Sequence, residues 1–201
     1  MSVALWLAAS YLLGAIPTSH WVARFVGNID LRTFGSKNLG ATNLFRAMGW
    51  GAAVPVGAFD VLKGVIPVIW LAPRAGSAAW LPMACGAVAV CGHVFSPFVG
   101  FKGGKGVATA AGVLIVLAPI PFVACTAVWF FTLRLTRYMS VASLSAAAAF
   151  PVLTAMMGPD NAYTLGVAVI LAAFIGFTHR GNIQRLMAGT EGRFGSPSAP
   201  S

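Results

Sequence analysis

The sequence predicts an all-α, polytopic integral membrane protein, and three observations carry that prediction: composition, the spacing of apolar runs, and the places where positive charge falls. Of 201 residues 58% are hydrophobic and only 8% charged, with a mean hydropathy of +0.84, whereas about a quarter of an ordinary soluble domain is charged. Apolar runs lie near 3–26, 51–72, 79–99, 140–157 and 161–178, each close to the ~20 residues that a helical crossing takes. The first run carries no charge before Arg24, so it lacks the basic head of a cleaved signal peptide and is expected to remain as a span. The segment 106–136 is too long for one span and contains Pro119 and Pro121, which predicts two short helices turning at Ala118-Pro119-Ile120-Pro121. Seven spans result. A five-span alternative keeps 106–136 as one long helix and makes 140–157 re-entrant. Residues 1–194 are expected to form a single membrane-embedded domain and 195–201 a disordered tail.

Seven spans put the termini on opposite sides, and the positive-inside rule chooses between the two orientations. With the N-terminus outside, Arg24, Arg32, Lys37, Arg46, Lys102, Lys105, Arg134, Arg137, Arg180, Arg185 and Arg193 all lie at or near cytoplasmic connections, and Arg74 alone lies clearly outside. The opposite orientation exposes most of that charge to the exterior. The expected topology is therefore N-terminus outside and C-terminus cytoplasmic.

The net charge of +9 does not point to nucleic acid, because the basic residues cluster between apolar runs and form no soluble face. Cys85, Cys91 and Cys125 all sit in apolar segments without CxxC spacing, so they read as packing, and no metal or cofactor is expected. Lys105 is followed by Gly106, which excludes a Walker A loop. None of His20, His93 and His179 begins an HxxxxD box, and GxSxG is absent, so a protein nucleophile is not indicated.

Three polar segments are predicted on the cytoplasmic side: 34–46, the turn within 92–109, and 179–186. Each mixes small residues, amides or hydroxyls with a cation, the combination that neutralises and orients a phosphate. In the middle segment, glycines around Lys102 and Lys105 are expected to bring backbone N–H groups toward one anion, and a helix beginning near Gly106 adds its own unpaired amides and positive end. Asp60 and Lys63 stand at i and i+3 inside the second span, where each charge alone is costly; they read as a structural pair or as a Lys63 contribution to the anion site. Ser140 and Ser143 can share one face of a helix start, with helix capping as the plain alternative, and His179 can share a helical face with Asn182, which favours it as the substrate-orienting histidine.

The ordered segments resemble the PlsY family, the bacterial acyl-phosphate-dependent glycerol-3-phosphate acyltransferases. Gly35 to Arg46 is similar to GSxNxGATNxxR, Gly92 to Thr109 to GHxFxxFxxFKGGKGVAT, and His179 to Glu191 to HRxNIxRLxxGxE. Asp60 to Gly64 agrees with DxxKG and Arg137 to Ser143 with RYxSxxS. Lys37 stands where many members carry glycine, and Pro97 one position beyond where some carry proline.

The resemblance implies acyl transfer from acyl phosphate to the 1-hydroxyl of glycerol 3-phosphate, giving lysophosphatidic acid and inorganic phosphate, in the bacterial cytoplasmic (inner) membrane with the site facing the cytoplasm. On that reading Lys105, Arg46, Ser36 and His179 are the expected catalytic residues. Substrate phosphates fall to Ser36, Arg46 and the turn of Lys102, Gly103, Gly104 and Lys105, with Lys37 adding affinity, while Asn38, Thr42, Asn43, His179 and Asn182 orient glycerol hydroxyls or the cations. Gly40, Lys63, His93, Gly106, Ser140 and Ser143 complete the expected substrate-binding set. The proton acceptor is either His179 or a substrate phosphate oxygen. The partners are the two substrates and the bilayer, and the chain is expected to be a monomer or weak homodimer. An organic-phosphate transporter, the main rival, predicts paired repeats or half-helices at mid-membrane, which the sequence lacks.

Overall fold

The computed structural model describes residues 2–156 and 162–195, and all regular structure among them is helical. In chain order the helices are α1 Val3–Ala15, α2 Thr18–Phe25, α3 Ala41–Met48 and α4 Trp50–Ile66, which continues through a π-helical turn at Pro67–Leu71 into α5 Ala72–Ala75. There follow α6 Leu81–Val94, a 3-10 turn at Pro97–Val99, α7 Val107–Leu117, α8 Pro119–Thr136, α9 Met139–Met156, α10 Ala162–Thr178 and α11 Arg180–Met187. Backbone contacts divide them into two compact units, Met1–Leu117 and Ala118–Ser196.

Four stretches are long and apolar enough to cross a membrane: Trp50–Ala75, Leu81–Val99, Pro119–Thr136 and Met139–Met156. A further apolar stretch, Leu165–Thr178, bends by 58° into Arg180–Met187, and Val3–Ala15 and Val107–Leu117 are shorter apolar helices. Among the described residues every predicted apolar run is thus mainly helical; residues 157 and 161 at the ends of two runs, and 196–201 of the expected tail, lie outside the described residues. The 106–136 segment divides where its prolines indicate, α7 ending at Leu117 and α8 starting at Pro119. This removes the single long helix that the five-span reading requires.

The first run departs from expectation, because it is two helices and not one. Ile16 adopts ψ 112°, the extended conformation that a following proline favours, and Pro17 restarts the chain as α2. Helix α2 is amphipathic: Ser19 and Ala23 are buried while Trp21, Phe25 and Val26 are exposed. Carbonyls at the end of α1 accept from distant side chains, Ser96 Oγ donating to Ala15 O and Lys63 Nζ to Ile16 O, which also accepts from Thr18 N–H.

Close helix pairs form the frame of the first unit. On α1 and α6, a Cβ at Gly14 would overlap the Ala89 carbonyl and one at Gly92 the Tyr11 carbonyl. On α4 and α7, Gly64 and Gly112 meet the carbonyls of Thr109 and Val61 in the same reciprocal way. Small residues allow backbones to approach where lipid supplies no hydrophobic drive for association. At one end of the unit Ala72, Leu81 and Cys85 pack with Val3 and Leu7; at the other Ala23, Leu31, Leu39, Leu44, Val56 and Val99 form the floor beneath the first polar segment. In the second unit α9 packs against both α8 and α10.

Candidate active site

The first polar segment is a loop ending in α3. Its organiser is Asn43, fully buried, whose Nδ2 donates to Leu31 O at 3.3 Å and Phe34 O at 3.0 Å while Oδ1 accepts from Ser36 N–H at 3.0 Å. Three backbone groups of a loop without regular pairing are satisfied by one amide, which fixes where Ser36 projects. Asn43 therefore frames the loop, a more indirect task than the expected contact with glycerol hydroxyls. Ser36, Asn38, Gly40, Thr42 and Arg46 are half-buried around it, and Thr42 and Arg46 stand four residues apart on α3. Lys37 is exposed and held at φ 58°, a left-handed conformation that favours glycine. Upstream, Arg32 grips both carboxylate oxygens of Asp30 and holds that carboxyl well below the usual range.

In the second segment the chain leaves α6 and folds back beneath its end. Gly103 N–H donates to Val94 O at 2.9 Å and Gly104 N–H to His93 O at 3.1 Å. These two amides satisfy carbonyls at the end of α6 and do not point at an anion, a correction to the phosphate-cradle expectation for both glycines. Glycine is required there for space: a Cβ on Gly103 would overlap the His93 carbonyl, and one on Gly104 would overlap the His93 imidazole at Nε2. What the turn presents is Lys102, exposed, Lys105, half-buried, and the start of α7 after Gly106 at φ 81°. The first amides of α7, from Val107, have no helical acceptor by position, so the anion-binding capacity lies one step beyond the glycines.

Asp60 and Lys63 form the pair that their spacing allows, Lys63 Nζ lying 2.6 Å from Asp60 Oδ1. Both are buried, at 2% and 1% exposure, and His93 Nδ1 lies 3.9 Å from the same carboxylate oxygen. A water-sized cavity is lined by Asp60, Lys63 and His93 themselves, together with Ile16, Pro17, Thr18, Ser19, Leu39, Gly103 and Gly104.

In the second unit the 58° bend between α10 and α11 occurs at His179, which is buried at 2% exposure. His179 Nδ1 lies 2.9 Å from Ile175 O. A carbonyl only accepts, so Nδ1 carries the hydrogen, which in the neutral ring leaves the lone pair on Nε2. Asn182, Ser140 and Ser143 are also buried. Ser143 donates back to Met139 O, whereas Ser140 Oγ donates to Glu191 Oε1 at 2.7 Å; neither hydroxyl caps the helix. Glu191 also accepts from Asn182 Nδ2 at 2.6 Å and from Arg185 Nε at 2.8 Å. Burial disfavours its charged form, but hydrogen bonds from Ser140, Asn182 and Arg185 outweigh that and hold the carboxyl below its ordinary value. Glu191 thus ties α9 to α11, a role that the sequence reading did not assign; its only signal was its place at the end of the third ordered motif. The chain beyond it is held too, Phe194 N–H donating to Arg137 O and Arg193 Nε to the Tyr138 hydroxyl.

The described helices and polar ends define a membrane-embedded helical protein that presents Lys, Arg, Ser and Asn suited to phosphate. The sequence profile of the glycerol-3-phosphate acyltransferase family matches residues 4–189, and the chain belongs to that family. It is 43% identical over 189 residues to the glycerol-3-phosphate acyltransferase of Trichlorobacter lovleyi, covering 94% of this chain and 96% of the relative. It is 42% identical over 195 residues to glycerol-3-phosphate acyltransferase 1 of Deinococcus radiodurans, covering 97% of each. The fold is similar to a crystal structure of PlsY, an integral membrane glycerol 3-phosphate acyltransferase, in its glycerol 3-phosphate form, with a TM-score of 0.86, 39% identity and 96% of each chain covered. The lysophosphatidic acid form gives 0.84 and 36%, covering 98% of this chain and 97% of that one.

Proposed function

We propose that the protein moves a fatty acyl group from acyl phosphate to the 1-hydroxyl of glycerol 3-phosphate, giving lysophosphatidic acid and inorganic phosphate as the first acylation in phospholipid synthesis. The observation that carries the reading is the 0.86 match, at 39% identity, to PlsY in its glycerol 3-phosphate form, joined to the three ordered motifs. The glycerol oxygen attacks the acyl carbonyl carbon, the anhydride C–O bond breaks, and phosphate leaves with the bonding electrons. The hydroxyl proton passes to His179 Nε2 or to a phosphate oxygen of the substrate.

Because the anhydride is already activated, the protein's task is to hold two anions together and orient them. Ser36, Arg46, Lys102, Lys105 and the first amides of α7 are the phosphate ligands in this reading, and His179 orients the attacking hydroxyl. Asn43, Asn182 and Ser140 act by fixing the segments that carry them. The acyl chain lies against apolar helices, and seven crossings place the basic loops in the cytoplasm under the positive-inside rule. Residence in the bacterial inner membrane and a monomeric or weakly dimeric state belong to the same proposal.

The test is purified protein given glycerol 3-phosphate with palmitoyl phosphate or palmitoyl-CoA. Lysophosphatidic acid is expected from the phosphate donor alone. Product from CoA alone keeps acyl transfer and rejects the donor, and no product from either rejects the activity. Lys105→Ala and Arg46→Ala are expected to lose about 100-fold or more in rate while eluting as folded protein, the effect of removing a charge that acts on the reacting groups.

A further inference from the structure

Three elements of the first unit converge on one buried ion pair. Lys63 Nζ is engaged by Asp60 Oδ1 at 2.6 Å and by the Ile16 carbonyl, and it lies 5.3 Å from the Phe59 ring centroid. Ile16 is the residue at which α1 breaks, and its carbonyl also accepts from Thr18 N–H at 2.9 Å, so this ammonium is a further donor that ties α4 to the break. On its other side the pair faces His93, whose imidazole lies against Gly104 so closely that a Cβ there would overlap Nε2. Gly103 and Gly104 are in turn bonded to the carbonyls of Val94 and His93. A continuous chain of contacts therefore runs from the α1–α2 break through Lys63, Asp60 and His93 to the turn that carries Lys105.

The surroundings argue against substrate contact. Lys63 and Asp60 are 1% and 2% exposed, and the small cavity that they line with His93 has room for about one water molecule, too little for a phosphate. A charged pair inside an apolar span is costly and calls for a task. We propose that Asp60, Lys63 and His93 are positioning residues, a buried polar strut that sets the Gly103–Gly104 turn, and with it Lys105, against the α1–α2 break, and that none of them binds substrate. The proposal rests on the functional reading only in taking Lys105 as the group positioned, and it replaces the expectation that Lys63 and His93 are substrate ligands.

The discriminating experiment compares Lys63→Met with the double variant Asp60→Leu/Lys63→Met. The single change leaves a carboxylate buried without its partner, whereas the double change removes both charges, and buried pairs replaced together by apolar residues are often tolerated. Expected are a rise of about 30-fold or more in KM for glycerol 3-phosphate and a lowered melting temperature in the single variant, with the double returning to within about tenfold of wild type in both kcat and KM and recovering its melting temperature. A substrate-binding lysine predicts a double as inactive as the single, and a folded double more than about tenfold below wild type overturns the strut. The wild type assayed alongside separates the two readings: no product from it rejects the enzyme, while an active wild type with an inactive, folded double rejects the strut alone.

A second measurement needs neither charge. Gly104→Ala is expected to impair the turn by driving a methyl chiefly into His93 and less closely against the Leu39 carbonyl, and His93→Ala removes the nearer of the two obstacles, so the double His93→Ala/Gly104→Ala retains at least about threefold more activity than the product of the two single losses. Losses that simply multiply would mean that His93 and Gly104 act independently, which overturns the contact chain.

Discussion

Lys37 and Glu191 show how a single residue's backbone or charge state is set by its surroundings. Lys37 stands where the resemblance leads one to expect glycine in many members, and its φ of 58° is a conformation that favours glycine. Lys37→Gly is expected to raise stability by up to about 1 kcal/mol, the left-handed strain relieved less the added freedom of the unfolded chain. KM for glycerol 3-phosphate should stay within about threefold, because the side chain is exposed, and a tenfold rise would restore Lys37 as a phosphate ligand. Glu191 ties its segment by charge. Its carboxyl is held below the ordinary value of 4.5, so its contribution to stability is fully present above that value and declines as pH falls through the lowered one. Glu191→Gln keeps an acceptor but loses the ionic partner of Arg185, and about 2 kcal/mol of stability is expected to go with it. Acid titration of melting temperature should lose slope in that variant below pH 4.5; an unchanged slope would assign the acid response to another carboxylate.

At the scale of elements, what the sequence revealed depended on the range of the interaction. The α7–α8 joint was legible because Pro119 acts on its own neighbours, removing a donor and restricting Ala118. The break at Ile16–Pro17 was not, since a hydropathy window averages over one proline and α2 contributes enough apolar residues to extend the run. The motif glycines were legible as a place but not as a task. Their amides bond to carbonyls on α6, and no local pattern reveals a partner that arrives by tertiary packing. Glu191 illustrates the same limit, its Ser140 contact spanning 51 residues of chain. The interior glycines of α4 and α7 belong here as well: the fold uses Gly64 and Gly112 to bring two helices of one chain together, a pairing that no local pattern reveals. Gly112→Ala drives a methyl into the Val61 carbonyl, where backbone cannot yield, and is expected to cost about 1–3 kcal/mol by parting α4 from α7. The check is thermal unfolding in detergent; a change below about 0.5 kcal/mol would show that the pair has slack.

For the whole molecule the governing fact is that, the buried Asp60–Lys63 pair aside, the charges behind a net +9 gather at the ends of apolar helices and in the segments that join them. A charge in the bilayer is expensive, and retaining Lys and Arg loops on the cytoplasmic side sets the orientation of the chain. Under the proposed seven crossings with the N-terminus outside, the connection between α5 and α6 lies outside and the end of α11 inside. Ser77 is exposed in the first and Met187 in the second, and neither has a part in the proposed chemistry. An impermeant thiol reagent is therefore expected to label Ser77→Cys in intact cells and Met187→Cys only after permeabilisation, with Cys85 and Cys125 buried as internal controls. The reverse pattern would invert the topology and put Arg46 and Lys105 on the exterior, away from cytoplasmic glycerol 3-phosphate, so that one labelling experiment tests the orientation and the access that the proposed reaction requires. Labelling of both positions from outside would instead mean an even number of crossings between them, and would give the short α7 or the bent α10 a re-entrant role.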